Sequence, residues 1–248
     1  MIRTAMLLAA GEGRRMRPLT LTTPKPLLPV AGSSLIQLQL ARLRDAGIER
    51  VVINLAYLGE QIAQALGDGR QLGLEIVYSR EAQPLETGGG LNAALPLLGR
   101  EPFLLVNGDV WSDIDLFGLA KVGLKSESLA HLVMVPNPNH NGAGDFSLAA
   151  DGKLQLVTGE PDRVSLGSKN RIVSAPSFGI ACTYSGVAIL DPAAIQTYPK
   201  RRNLFPLREV LYWLIEQRRI SGELHQGAWL DVGTPERLAE LRELLEAR

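Results

Sequence analysis

Between residues 4 and 135, short and mostly apolar runs alternate with stretches whose apolar residues recur at helical spacing. No other feature constrains the fold as strongly. The runs at 4–10, 51–55, 74–78, 103–106 and 131–135 read as strands buried on both faces. Between them, 35–46, 59–66, 88–98 and 112–121 read as helices, the first closed by Gly47 at its C-terminal cap. The alternation predicts an α/β fold, a Rossmann-like, mainly parallel sheet flanked by helices. In such sheets ligands bind beyond the carboxyl ends of the strands. Two segments of unusual composition fall there, after Ala10 and after Val106.

The pattern changes after Asn137. Runs at 145–149, 153–157 and 183–190 are separated by turns, which predicts a strand-rich lobe over 137–200. Residues 159–181 show no periodicity and predict a long loop, with one short strand at 171–174. Helices at 206–217 and 235–247 close the chain, which is expected to form one domain with its core at 1–136 and its closing helices within 201–248.

Composition removes several classes of function. Lys plus Arg equals Asp plus Glu, at 26 each, so the chain has no overall attraction for nucleic acid or anionic lipid. Cys182 is the sole cysteine, which excludes an internal disulfide and suits a reducing, cytoplasmic compartment. Residues 1–10 resemble a signal peptide only superficially, because an arginine-rich turn follows at once. No run reaches the roughly 18 apolar residues of a membrane span.

The first unusual segment is Leu8-Ala9-Ala10-Gly11-Glu12-Gly13-Arg14-Arg15-Met16-Arg17-Pro18-Leu19-Thr20, then Thr23-Pro24-Lys25-Pro26-Leu27. Glycines let consecutive N–H groups approach phosphate oxygens, and arginines add paired contacts. It is not a Walker A loop, since Gly-Lys-Ser/Thr is absent. Nor is it a dinucleotide fingerprint, since Met16 stands where the third glycine belongs. The prolines flanking Lys25 stiffen its presentation, and a lysine on so polar a loop is expected to add little to the core. In Asn107-Gly108-Asp109, the aspartate reads equally as turn chemistry or as a metal ligand. Glu86-Thr87-Gly88-Gly89-Gly90 opens a helix, either with Thr87 as a plain cap or with Gly88 and Gly89 leaving room for a base or ribose.

Together these motifs resemble the signature of the sugar-1-phosphate nucleotidylyltransferases, Leu-Ala-Ala-Gly-x-Gly-x-Arg-Met-x-Pro-Leu-Thr followed by Pro-Lys-Pro-Leu. The likeness extends to 86–90, to 106–109 and to the closing motif at 229–238, Trp-Leu-Asp-Val-Gly-Thr-Pro-Glu-Arg-Leu. It implies a nucleotide-binding core with a sugar-binding lobe inserted late. Ala10, Gly11, Glu12 and Gly13 would hold the nucleotide together with Glu86, Thr87 and Gly88. Arg15 would hold the departing phosphates and Lys25 the reacting one. Asp109 and Asp231 would share a Mg2+ ion. Without a cation, or a basic residue in its place, two such carboxylates repel. Asn107, Asp145 and Glu160 are candidates for the sugar. The Glu-Lys-Pro of many relatives is Gly159-Glu160-Pro161 here, so either Glu160 is not that site or a different cation, Lys169 or Lys153, takes the sugar phosphate. The short chain and closing motif imply UTP and N-acetylmuramic acid 1-phosphate as substrates. The rivals are guanylyl transfer to mannose 1-phosphate, thymidylyl transfer to glucose 1-phosphate, and a non-catalytic nucleotide-sugar sensor. His131, His140 and His225 lack metal spacing and read as surface or strand residues. The tryptophans read as packing, with Trp111 and Trp229 flanking the two aspartates where they can line the cleft.

Overall fold

The computed structural model describes residues 1–125, 127–157 and 179–247. The chain starts with β1 (Thr4–Leu8) and passes through three single-turn 3-10 helices. A small ribbon, β2 (Pro29–Val30) with β3 (Ser33–Ser34), leads into α1 (Leu35–Asp45). Next come β4 (Arg50–Leu55), α2 (Gly59–Leu66), β5 (Glu75–Arg80), α3 (Glu86–Leu98) and β6 (Phe103–Asn107). They are followed by β7 (Val110–Ser112), α4 (Leu116–Val122), β8 (Ala130–Val135), β9 (Phe146–Leu148) and β10 (Leu154–Gln155). Then come β11 (Ile180–Leu190), α5 (Pro192–Gln196), α6 (Leu207–Glu216), β12 (Ile220–Leu224), β13 (Trp229–Asp231) and α7 (Pro235–Glu246).

Strand alternation divides the core in two. Met6, Val52 and Leu105 point to one face and pack against α3, α5 and α6. Their neighbours Ala5, Leu7, Val51, Ile53, Leu104 and Val106 point to the other, against α1, α2 and α4. Each buried Leu, Ile or Val in these layers contributes roughly 1.5–3 kcal/mol of transfer free energy. The nine-stranded sheet runs β10-β9-β11-β6-β1-β4-β5, with β8 and β12 joining through β11. Strands β6, β1, β4 and β5 are parallel, and β11 enters antiparallel beside β6. The 11 residues of β11 serve two neighbourhoods: 187–190 pair with β6, and 180–182 pair with β9. The change of register falls between Tyr184 and Ala188, where Gly186 takes φ 83°.

A third apolar cluster positions the site. Met16, Leu28 and Val30 from the loop after β1 pack with Trp111, Val232, Leu238 and Leu241. Arg242 donates to the Pro29 carbonyl at 2.8 and 3.1 Å, fixing the same loop to α7.

The helix expected at 112–121 is shorter. Ser112 ends β7, and α4 begins at Leu116, where the Asp115 carboxylate accepts from Gly118 N at 2.9 Å. β7 exists because β13, more than a hundred residues away, pairs with it antiparallel, and helical spacing cannot reveal that partner. The strand expected at 171–174 lies outside the described residues. Among the described residues no helix is long and apolar enough to cross a membrane.

Candidate active site

The two unusual segments lie at the carboxyl ends of neighbouring parallel strands, β1 and β6, with Leu8 beside Asn107. There they edge a cavity of about 250 Å³. Ala10, Gly11, Lys25, Glu86, Thr87, Asn107 and Asp109, all expected from the sequence, line it together.

The turn after β1 is fixed from below. Ala9 N donates to Asn54 Oδ1 at 2.8 Å. Gly11 has open space where a Cβ would stand, so its backbone is approachable. Gly13 sits at φ 61°, and a Cβ there would stand 3.0 Å from Thr20 Cγ2 and 3.1 Å from Lys25 Cβ. That close approach, with Thr20 Oγ1 donating to the Gly13 carbonyl at 2.8 Å, folds the Lys25 segment back over the turn. Glu12 turns its carboxylate to Arg14, at 2.7 and 3.0 Å, so the nucleotide would meet its backbone rather than its side chain. The hydrogen bond from Arg14 leads the causes that hold Glu12 below the usual glutamate value.

Lys25 departs from expectation. Its side chain is only 10% exposed, and Nζ lies 2.6 Å from Asp109 Oδ2. The lysine is therefore built into the protein, and the partner 84 positions away explains why the loop's polarity concealed this. Asp231 likewise has a resident cation, with Arg237 Nη1 at 2.7 Å and His140 Nε2 at 3.7 Å. The two carboxylates belong to the same end of the β7–β13 pair, because Val232 N donates to the Asp109 carbonyl at 2.8 Å and Asp231 opposes Val110. Each carboxylate has its own basic partner, the condition under which such a pair can stand without a shared cation. Two hard oxygen donors suit Mg2+, which usually takes one or two carboxylates and completes its shell with phosphate oxygens and water. No cluster of three or more His, Cys, Asp or Glu that could hold a metal ion occurs among the described residues.

The glycines of α3 need a different explanation. A Cβ on Gly88 would stand 2.6 Å from the Phe205 ring, and one on Gly89 would land on the Asn203 carbonyl. Gly88 is buried away from the cavity, so this run lets the 203–205 segment pack closely; it does not leave room for a base. Thr87 does not cap its own helix: its Oγ1 accepts from Leu207 N at 2.9 Å. Glu86 stays at the rim and holds φ 60°, a left-handed conformation costing a non-glycine residue on the order of 1–2 kcal/mol.

On the sugar side, Asn107 faces the β11 bulge, where a Cβ on Gly186 would stand 2.9 Å from its Nδ2. The Asp145 carboxylate is committed locally, accepting from Tyr184 N at 2.8 Å and Asn141 Nδ2 at 3.3 Å, and it does not line the cavity. Lys153 gives its ammonium to the Arg218 carbonyl at 3.4 Å and is no part of the site. Glu160 and Lys169 lie outside the described residues. Trp111 is buried in the third cluster, and Trp229 Nε1 donates to the Ser185 carbonyl at 2.8 Å, so neither lines the cavity.

The model of the nucleotidyl transferase family matches residues 4–248. The chain belongs to that family. It is 47% identical over 247 residues to the N-acetylmuramate alpha-1-phosphate uridylyltransferase of Neisseria meningitidis serogroup B, covering 98% of each chain. It is 34% identical over 256 residues to the protein of that name from Caulobacter vibrioides, covering 98% of this chain and 97% of that one. HddC from Yersinia pseudotuberculosis, solved in complex with GMP-PN, shares the fold, with a TM-score of 0.75 at 21% identity, covering 98% of this chain and all of that one.

Sequence reasoning missed two residues of this nucleotidyl transferase cavity. Asn54 and Glu81 are buried in its wall, and Asn54 Nδ2 donates to Glu81 Oε1 at 2.8 Å. Glu81 Oε2 accepts from Leu85 N at 2.9 Å. With Ala9 N on Asn54, the pair ties the turn after β1 to the turn before α3 across three strand ends. An asparagine inside an apolar strand and a glutamate just past the next one were the available signals, because buried polar groups require partners.

Proposed function

We propose that the protein transfers a uridylyl group from UTP to N-acetylmuramic acid 1-phosphate, giving a UDP-sugar and pyrophosphate. The observation that carries the reading is the buried Lys25 ammonium at the cavity mouth, held by Asp109 beside an open-backbone glycine turn. A sugar phosphate oxygen forms a bond to the α-phosphorus. The bond to the bridging oxygen breaks, and its electron pair leaves with pyrophosphate. Lys25 supplies a charge already in place where negative charge develops, and the Gly11–Gly13 backbone N–H groups orient the phosphates. Asp109 and Asp231 would hold Mg2+, which when bound supplies charge neutralisation across the phosphates. Glu86 and the wall at Asn54 and Glu81 bound the region left for the nucleoside.

The choice of UTP and of N-acetylmuramic acid 1-phosphate rests on the two relatives of that name and on coverage of nearly their whole length. The reading places the reaction in the cytoplasm, in recycling of cell-wall sugars. The test is a matrix of four nucleoside triphosphates against several sugar 1-phosphates, followed by pyrophosphate release with Mg2+ present and absent. UTP with N-acetylmuramic acid 1-phosphate should turn over fastest and only with the metal. Faster turnover with GTP and mannose 1-phosphate would replace the substrate pair, and no release from any pair would leave a binding protein.

A further inference from the structure

Arg237 has no role in the reading above, yet its guanidinium converges with that of Arg15, the residue the family resemblance assigns to the departing phosphates. It lies in the first turn of α7, after Thr234, whose side chain caps the helix. Its Nη1 takes Asp231 at 2.7 Å and His140 Nε2 at 3.2 Å. Its Nη2 turns towards Gly233, and so does Arg15 Nη2 from the loop after β1. A Cβ on Gly233 would stand 2.9 Å from each of these two nitrogens. The guanidinium ends are therefore separated by at most twice that distance. The Asp231 carboxylate, with Oδ1 at 3.1 Å from the same point, stands close by to offset them. Arg15 is exposed and takes no carboxylate partner among the described residues. Two like charges brought so near, with one anion between them, are an incomplete arrangement that a polyanion would complete. Gly233 keeps the point between them free of a side chain. The third apolar cluster holds both arginines in place, because Met16, next to Arg15, and Leu238, next to Arg237, pack in it together.

We propose that Arg15 and Arg237 form a two-guanidinium clamp for the departing pyrophosphate, with Arg237 resting on Asp231 until the phosphates arrive. The inference rests on the nucleotidyl-transfer reading and adds to it a binding residue from the C-terminal helix.

The test measures the affinity of inorganic pyrophosphate with Mg2+, by calorimetry, for the full chain and for Arg237→Gln, with uridine monophosphate as the control ligand. Losing one charged, forked contact should weaken pyrophosphate binding about 10- to 100-fold and leave uridine monophosphate unchanged. Gly233→Ala is the second variant. Its methyl meets only the ends of flexible side chains, so it should fold normally and weaken pyrophosphate binding in the same direction. Unchanged pyrophosphate affinity in both variants overturns the clamp and leaves Arg237 as a structural partner of Asp231. A parallel loss of uridine monophosphate or sugar phosphate affinity also overturns it, by assigning Arg237 to another phosphate. If the unaltered protein neither binds magnesium pyrophosphate nor releases it from substrates, the nucleotidyl-transfer reading fails, a result separable from failure of the clamp alone.

Discussion

Replacing Asp109 by asparagine separates two physical pictures of the site by the sign of one number. If the two aspartates mainly repelled each other, Asp109→Asn would relieve that repulsion and raise the stability of the ligand-free protein. The structure requires the opposite. The variant converts an ion pair of 2.6 Å into a hydrogen bond from the lysine ammonium to a neutral amide oxygen, while the Lys25 side chain stays 10% exposed. A fully buried pair broken on one side costs about 3–5 kcal/mol, and an exposed pair roughly 0.2–1 kcal/mol. Asp109 is 40% exposed and the asparagine oxygen can still accept from Lys25, so the loss should be about 1–2 kcal/mol. For a chain of this size that lowers Tm by roughly 2–8 °C. Lys25→Met is the asymmetric partner. It leaves Asp109 free to hydrate and puts an apolar side chain in a mostly buried place, so its stability should lie within about 1 kcal/mol of the original. Both variants should lose Mg2+-dependent turnover. Thermal unfolding without ligand, repeated with Mg2+ and UTP, checks every arm. A rise in Tm for ligand-free Asp109→Asn would refute the argument, as would the loss of more stability from Lys25→Met than from Asp109→Asn.

Other outcomes follow from the same geometry. Gly89→Ala should destabilise the fold by about 1–3 kcal/mol in denaturant unfolding, because the methyl meets the Asn203 carbonyl, whereas Gly11→Ala should leave unfolding unchanged and weaken UTP binding in a titration. Glu81→Gln should lower stability by roughly 1–3 kcal/mol through the bonds to Asn54 and Leu85 N, and it should raise KM for UTP more than for the sugar phosphate. Burial pushes the Asp113 carboxyl up, but a backbone bond from Ala228 and the bond to His225 hold it below the usual value. A depressed carboxyl contributes stability above its ordinary pKa of about 3.9 that is lost as pH falls through the folded value, so the advantage over Asp113→Asn should be present at pH 6 and vanish in acid unfolding once the pH has fallen through the lowered folded value.

The parallel core was legible because its strands are buried on both sides and its helices are amphipathic, and both are local properties of the chain. The placement of the two unusual segments beyond the carboxyl ends of parallel strands was legible too, but the pairing of β1 with β6, which sets Leu8 beside Asn107, was not. The pairings made across long separations were not legible. β7 and β13 have three residues each and exist only as partners. The Lys25–Asp109 pair joins residues 84 positions apart whose own surroundings look polar and open. The glycines of α3 announced a close approach but not what approached, which proved to be the chain's own Phe205 and Asn203. Asn54 and Glu81 were passed over because each sits near an apolar run that drew attention to strand formation rather than to the polar atom inside it.

The seating of Met16 against Leu238 and Leu241 bears on how the molecule matures during synthesis. The parallel strands β1, β4, β5 and β6 are available once about the first hundred residues have emerged, and they can pair as they appear. The loop that would grip phosphate lacks part of its apolar seat until α7 has left the ribosome, because Leu238 and Leu241 come from there. A nascent chain stalled before β13 would carry a sheet but no ordered anion loop. On the reading proposed above, competence to bind triphosphate would then arrive as one of the last events of translation.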